Sequence, residues 1–475
     1  MATPDKGSIY ESHSSIQSIE LPYVQSKQGH ASAFSAIVNL SNCAVGAGVL
    51  SIPYATENMG IYPTILFFIM FATFACYSLS ILPKCAEAAN VTSYEEVVHV
   101  GFGFVALKIF QIILILYGSG VAIGYIVIVG DLVPPVLAAW FGYSTNEEWF
   151  ISDWFVQTMC TIFILIPLGC LKKLDSLKYT SVLALLSVLY FVILLIILSI
   201  QEMITRRDEG GNYIRNNIVN FGSGFDIFLG VPLVAFSFGG HIQSISIYSE
   251  LKSQTPRTWE IVSGCSVLIM TTMYVIVSFF GYFGFLPGIE GNILEQLLKE
   301  YPNDPYVQVA SLAMSLLVTL SYALFSWAVR FSLHRLLFPK ESLIEAEQAL
   351  LIAKGDATIL QANHSKLKKN IIYYSETVII ILITLLFAIF LQSLEIVLGL
   401  VGAVGAVLTK YVIPPICFIK MYPRYYEKYH GTKKKMPIGF LLFALLCIIT
   451  CGIAGIISTG SVLYDGWEAF QNKDD

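Results

Sequence analysis

Between positions 36 and 53 the chain reads AIVNLSNCAVGAGVLSIP, within an otherwise apolar stretch. Asn39, Ser41, Asn42, Gly46, Gly48, Ser51 and Pro53 are residues that a lipid-facing helix avoids. One use for small residues here is close packing between helices. The other is a helix that unwinds around Gly46-Ala47-Gly48. Freed amides and a half-helix N-terminus would then hold a carboxylate, and freed carbonyls a cation. Two asparagines beside the glycines favour the unwound reading, which makes Gly46, Ala47 and Gly48 candidate substrate contacts. A matching interruption, Phe236-Ser237-Phe238-Gly239-Gly240-His241, lies in a later apolar segment. Irregular backbone at membrane depth is tolerated only inside protein or along a water cavity. Ser237, Phe238 and Gly239 therefore join the candidate substrate site.

Oxygen ligands for a hard cation are available in a third segment, which carries Ser315, Thr319 and Ser321. Ser315 and Thr319 are four apart and share a helix face, from which Ser321 is turned away. The alternative is that these hydroxyls bond back to their own helix carbonyls. His241 is the intramembrane histidine of this region, and an imidazole can carry a proton near neutral pH. It is equally compatible with orienting backbone. No Walker motif, nucleophile–base pair or metal-ligand spacing marks an enzyme or a metal site. The cofactor expectation is none beyond a coupling ion, Na⁺ or H⁺.

The elements that must position these residues are membrane helices. Of 475 residues, 56% are hydrophobic and 13% charged, and mean hydropathy is +0.69. That is too little charge to cover a soluble domain of this size. The apolar residues fall into about eleven blocks of ~20, the length needed to cross the hydrocarbon. They are 33–55, 61–82, 104–129, 154–171, 180–201, 226–248, 261–286, 306–329, 371–391, 395–419 and 437–463. The two interruptions fall in the first and sixth, as an inverted repeat of five plus five helices would produce. With the N-terminus in the cytoplasm, most of the 28 basic residues fall on the cytoplasmic side, as the positive-inside rule requires. This gives a cytoplasmic tail (1–32), an eleven-helix transporter domain (33–463) and a lumenal or extracellular tail (464–475). The sequons at Asn90 and Asn363 then fall in cytoplasmic loops, and no outer loop pairs two of the nine cysteines. The N-terminal region shows no apolar signal segment. The cytoplasmic loop 331–370 holds an amphipathic stretch, 341–360, read as a surface helix or connector, with docking of a cytoplasmic partner as the alternative.

These motifs together resemble the amino acid/auxin permease family. The matches are Asn39-Leu40-Ser41-Asn42 with Gly46-x-Gly48-x-Leu50, and Phe236-Ser237-Phe238-x-x-His241 with Ile247-Tyr248-x-Glu250-Leu251. They continue with Gly281-Tyr282-Phe283, Val318-Thr319-Leu320-Ser321 with Arg330, and Gly399-x-x-Gly402-Ala403 with Pro415, Phe418 and Lys420. The resemblance is greatest to the sodium-coupled neutral amino acid transporter branch, while Leu50-Ser51-Ile52-Pro53-Tyr54 also resembles vacuolar and lysosomal relatives. It implies an all-α, leucine-transporter-like fold with broken first and sixth helices that contact the substrate's carboxylate and amino groups. It also implies a sodium site at Asn42 with Thr319 or Ser321. The expectation is a secondary active transporter of neutral amino acids, working by alternating access in a plasma, vacuolar or lysosomal membrane. Nucleic acid is not an expected partner. A proton-coupled vacuolar transporter and an amino acid sensor with little flux are the alternatives.

Overall fold

The computed structural model describes residues 29–143, 148–171, 180–208, 216–338 and 363–471. These form helices joined by short connections, with no strand among the described residues. The amphipathic stretch 341–360 lies outside them, as do the last four residues.

The helices are α1 (Ala33–Ala44), α2 (Gly48–Met59), α3 (Ile61–Ala89), α4 (Tyr94–Phe141), α5 (Asp153–Gly169), α6 (Thr180–Asp208) and α7 (Ile227–Ser237). They continue as α8 (His241–Glu250), α9 (Pro256–Phe285), α10 (Ile293–Glu300), α11 (Pro305–Leu337), α12 (Asn363–Phe390), α13 (Leu394–His430) and α14 (Ile438–Gln471). Among the described residues, nine helices or joined helices are long and apolar enough to cross a membrane, and the bent pair α1–α2 makes a tenth. The fourth expected segment, α5, is apolar but shorter. By length the described residues support nine or ten spans, which leaves the eleven read from sequence unconfirmed.

Several boundaries differ from the sequence expectation for identifiable reasons. α4 continues through Pro134 and Pro135 to Phe141, so these prolines sit inside the helix and do not end it. Its other end is bent at Gly103, whose φ of +84° suits a residue without a side chain. α14 extends to Gln471, beyond the expected end at 463. The short helix α10 was not expected. Its signals are local: Asn292 Oδ1 accepts from the Leu294 amide at 3.2 Å, Glu295 stands in the first turn and Lys299 in the last. Ile293, Leu294, Leu297 and Leu298 bury one face of it. The π-helical stretches Thr161–Leu165 and Val401–Val412 within α5 and α13 also leave no signature in residue type.

Large apolar side chains such as Leu66, Ile69, Leu268, Ile449 and Ile456 cover the outside. Aromatic residues fill the interior, among them Phe71, Phe238, Tyr274, Tyr322 and Tyr411. An exterior this apolar is unsuited to water and suited to lipid. The bundle closes tightly where small residues bring backbones together. A Cβ built on Gly402 of α13 would overlap the carbonyl of Pro232 in α7, whereas one on Gly439 of α14 meets nothing within 4 Å. Gly402→Ala is therefore expected to destabilise the bundle by about 1–3 kcal/mol through overpacking. Gly439→Ala should be neutral or slightly stabilising. Thermal unfolding of the two purified variants in detergent checks the contrast.

Candidate functional site

The first helix breaks at Val45-Gly46-Ala47, where α1 and α2 meet at a bend of 58°. The sixth breaks at Phe238-Gly239-Gly240 between α7 and α8. Gly240 adopts φ +93°, and a Cβ there would stand 2.7 Å from the Leu40 side chain, so both conformation and space call for glycine. The two breaks lie against each other. A Cβ on Gly239 would come within 3.1 Å of Ala44 Cα.

Breaking a helix frees carbonyls at the end of one half and amides at the start of the next. The freed carbonyls find side-chain donors. Tyr274 of α9 places its hydroxyl 2.7 Å from Ser237 O and 3.1 Å from Ala44 O, bridging the two breaks. Tyr411 of α13 donates to Ala235 O at 3.1 Å, and Lys410 Nζ donates to Phe236 O at 2.6 Å. The amides of Gly46, Ala47 and Gly48 have no backbone acceptor among the described residues.

A cleft opens between the breaks. It is lined by Cys43, Gly46 and Ala47 from the first helix, Phe236, Gly239, Gly240 and His241 from the sixth, Tyr117 and Tyr125 of α4, Phe325 of α11 and Lys410 of α13. About 430 Å³ between these residues is free of atoms, part of it open solvent. His241 is buried, with Nε2 2.6 Å from Ser78 Oγ and Nδ1 without a partner. Ser78 Oγ lies 2.8 Å from Phe74 O. When the serine proton is given to that carbonyl, His241 donates from Nε2 and Nδ1 remains a bare acceptor.

The structure thus brings Gly46, Ala47, Gly239 and His241 to one cleft. Gly48, Ser237 and Phe238 stand behind it. Gly48 packs against Ser237, where an added Cβ would meet Oγ at 2.6 Å and Cα at 3.1 Å. Ser237 Oγ itself bonds back to Leu233 O at 2.8 Å. Phe238 is fully buried, edge-on to Tyr274. The hydroxyl set does not converge with Asn42. Thr319 bonds back to Ser315 O at 2.7 Å, and Ser315 to Ser311 O at 2.8 Å. Thr319 lines a second, smaller cavity with Gln157, Cys160 and Tyr322, which shares Tyr125 with the main cleft. Ser321 and Asn42 are half-buried and make no hydrogen bond among the described residues.

Lys410 escaped the sequence reading, although a lone lysine deep in an apolar segment is itself a functional signal. Tyr117, Tyr125, Tyr274 and Phe325 left no such signal, because aromatic residues are common in every segment of this chain.

A membrane bundle with two broken helices facing one cleft is the arrangement of a transporter. The chain belongs to the family of transmembrane amino acid transporter proteins, whose model matches residues 29–458. A relative from Danio rerio, sodium-coupled neutral amino acid symporter 2, is 24% identical over 447 residues, covering 90% of this chain and 82% of the relative. A nucleobase-cation-symport-1 family transporter, solved in a closed conformation with bromovinylhydantoin bound, shares the fold. Its TM-score is 0.54 at 13% identity, covering 94% of this chain and 93% of that one. A substrate-bound, outward-open Na⁺-coupled sialic acid symporter gives a TM-score of 0.48 at 14% identity, with 92% and 91% covered. The architecture is leucine-transporter-like, as the sequence motifs implied.

The Gly48–Ser237 contact makes a separable prediction. Gly48→Ala should lower thermal stability and uptake, and adding Ser237→Ala should recover part of both by removing the nearest atom. If Gly48 instead served only the approach of a substrate, the second substitution would recover nothing. Melting temperature and initial uptake rates of the single and double variants separate the two.

Proposed function

We propose that the protein is a secondary active transporter that moves neutral amino acids by alternating access, driven by Na⁺. The observation that carries this reading is the pairing of the two helix breaks across one cleft. There, unbonded amides of the first helix offer donors to a carboxylate, and the open ends of the half-helices suit the charges of a zwitterion. Neutral substrates and sodium are supported by the resemblance to the Danio rerio symporter and by Asn42 and Thr319, neutral oxygen donors of the type Na⁺ accepts. The sodium reading requires these two, on separate walls here, to converge when the cation binds.

One observation favours a second reading. His241 lines the cleft with Nδ1 unpartnered, so a proton could be taken up there and drive transport in a vacuolar or lysosomal membrane.

Uptake into proteoliposomes separates the two. Under sodium coupling, Asn42→Ala raises the half-saturating Na⁺ concentration by roughly 5- to 150-fold, the effect of losing about 1–3 kcal/mol at one ligand. His241→Gln keeps the sodium dependence. Wild-type uptake indifferent to sodium, with a pH dependence abolished by His241→Gln, would establish the proton reading in its place.

Orientation belongs to the same proposal, with the N-terminus and the basic run Lys433-Lys434-Lys435 in the cytoplasm and Asp475 opposite. A C-terminal tag is expected to resist protease added to the cytoplasmic face of sealed vesicles. Its cleavage there would overturn the eleven-crossing topology read from the sequence.

A further inference from the structure

Lys410 sits in mid-membrane, is 2% exposed and lines the cleft. Its hydrogen bond to Phe236 O, 2.6 Å long, uses one of three ammonium donors. The rings of Phe236 and Tyr117 lie 5.1 and 5.6 Å from Nζ and present their faces to it. No carboxylate among the described residues pairs with this ammonium, and no acidic side chain lines the cleft. A buried cation without a counter-ion is costly to keep, and an ionisable group inside a membrane marks function by default. The rest of the lining adds to the same sign. The Gly46 and Ala47 amides are unbonded, and the N-terminus of α8 opens beside them. Beside the acceptor Nδ1 of His241, the cleft presents the Lys410 ammonium and these amides, with no acidic side chain among its described lining.

We infer that Lys410 is a specificity-determining residue: its ammonium takes a carboxylate of the transported molecule and bars substrates with a cationic side chain. This rests on the reading that the cleft carries amino acids. The carboxylate has two possible sources, the α-carboxylate common to all amino acids and the side-chain carboxylate of acidic ones. Both have the same chemistry, and the test distinguishes them.

The experiment compares wild type with Lys410→Met, which keeps length and apolar bulk without charge, and with Lys410→Arg, which keeps charge. Proteoliposome uptake is measured for alanine, glutamine and glutamate, with arginine as competitor. A KM for alanine and glutamine raised about tenfold or more in Lys410→Met, with Lys410→Arg retaining tighter binding than Met, assigns the α-carboxylate. Unchanged KM for neutral substrates with loss of glutamate uptake assigns the side-chain carboxylate. In both cases arginine, excluded by wild type and by Lys410→Arg, should begin to compete in Lys410→Met. Unchanged KM for all three substrates together with continued exclusion of arginine overturns the inference. Thermal-shift titration of the purified proteins tests the same point without flux. Alanine, glutamate or pyruvate should stabilise wild type, alaninol should not, and Lys410→Met should lose the response. If wild type moves no amino acid, the transport reading fails alone. In that case the Lys410 inference rests on the thermal shift, and it fails when none of these carboxylates stabilises wild type or when all stabilise Lys410→Met equally.

Discussion

A broken helix in a membrane leaves backbone carbonyls and amides that no water is present to satisfy. The arrangement around the cleft follows from that constraint. Ala44, Ala235, Phe236 and Ser237 present carbonyls freed by the breaks, and Tyr274, Tyr411 and Lys410 reach in from α9 and α13 to meet them. Each of these three side chains is almost fully buried; Ser237 O also accepts the Gly239 amide at 2.9 Å, whereas Ala44 O, Ala235 O and Phe236 O would be left without these donors. The seventh and tenth spans are thereby tied to the first and sixth by polar contacts. Tyr274 bridges the two breaks by bonding to a carbonyl of each.

The division of labour at the breaks explains why a site exists at all. The carbonyls of Ala44, Ala235, Phe236 and Ser237 are met by protein donors, whereas the amides of Gly46 and Ala47, two residues that line the cleft, have no backbone acceptor among the described residues. What remains open is donor-rich and positively polarised, complementary to a carboxylate. Glycine at the contacts lets the backbones approach. Gly48 admits Ser237, and Gly239 admits Ala44. Small residues in the first helix therefore serve both packing and unwinding, the two uses that the sequence left open.

Beyond the cleft, buried and half-buried carboxylates pin the helix ends. Glu87 accepts from the hydroxyls of Tyr248 and Tyr429, the latter at 2.7 Å, and its backbone carbonyl accepts from Lys428 Nζ at 2.9 Å. Glu95 takes Ser332 Oγ at 2.6 Å and Arg335 at 3.0 Å. Towards the other end of the bundle, the Glu57 carboxylate accepts the amides of Gly288 and Ile289 at 2.6 and 2.7 Å. Under the proposed alternating access, polar links of this kind can be exchanged. A continuous apolar core would resist such rearrangement.

Much of the fold was legible because membranes act on runs of residues. Twenty apolar side chains in a row demand a helix whatever surrounds them, and a Gly-Gly-His or a Gly-Ala-Gly inside such a run demands an interior position. Hence the positions of most spans and both breaks could be read from Gly46, Gly48, Gly239 and His241. The extension of α4 past Pro134 and Pro135 and the π-helical turns were not legible, since they depend on contacts made across the bundle. α10 carried local signals, its Asn292 cap and its terminal charges, that were passed over because it is too short to span. The site divides in the same way. Gly46, Ala47, Gly239 and His241 reached the cleft because the local break carries them there. Gly48, Ser237 and Phe238 turned behind it, and Thr319 bonded to its own helix beside a different cavity, because helix rotation is decided by packing against neighbours. Lys410 was visible as a charge in an apolar run. That it faces a cleft with no acidic side chain in its described lining is a fact of tertiary structure, produced where α13 meets the end of α7.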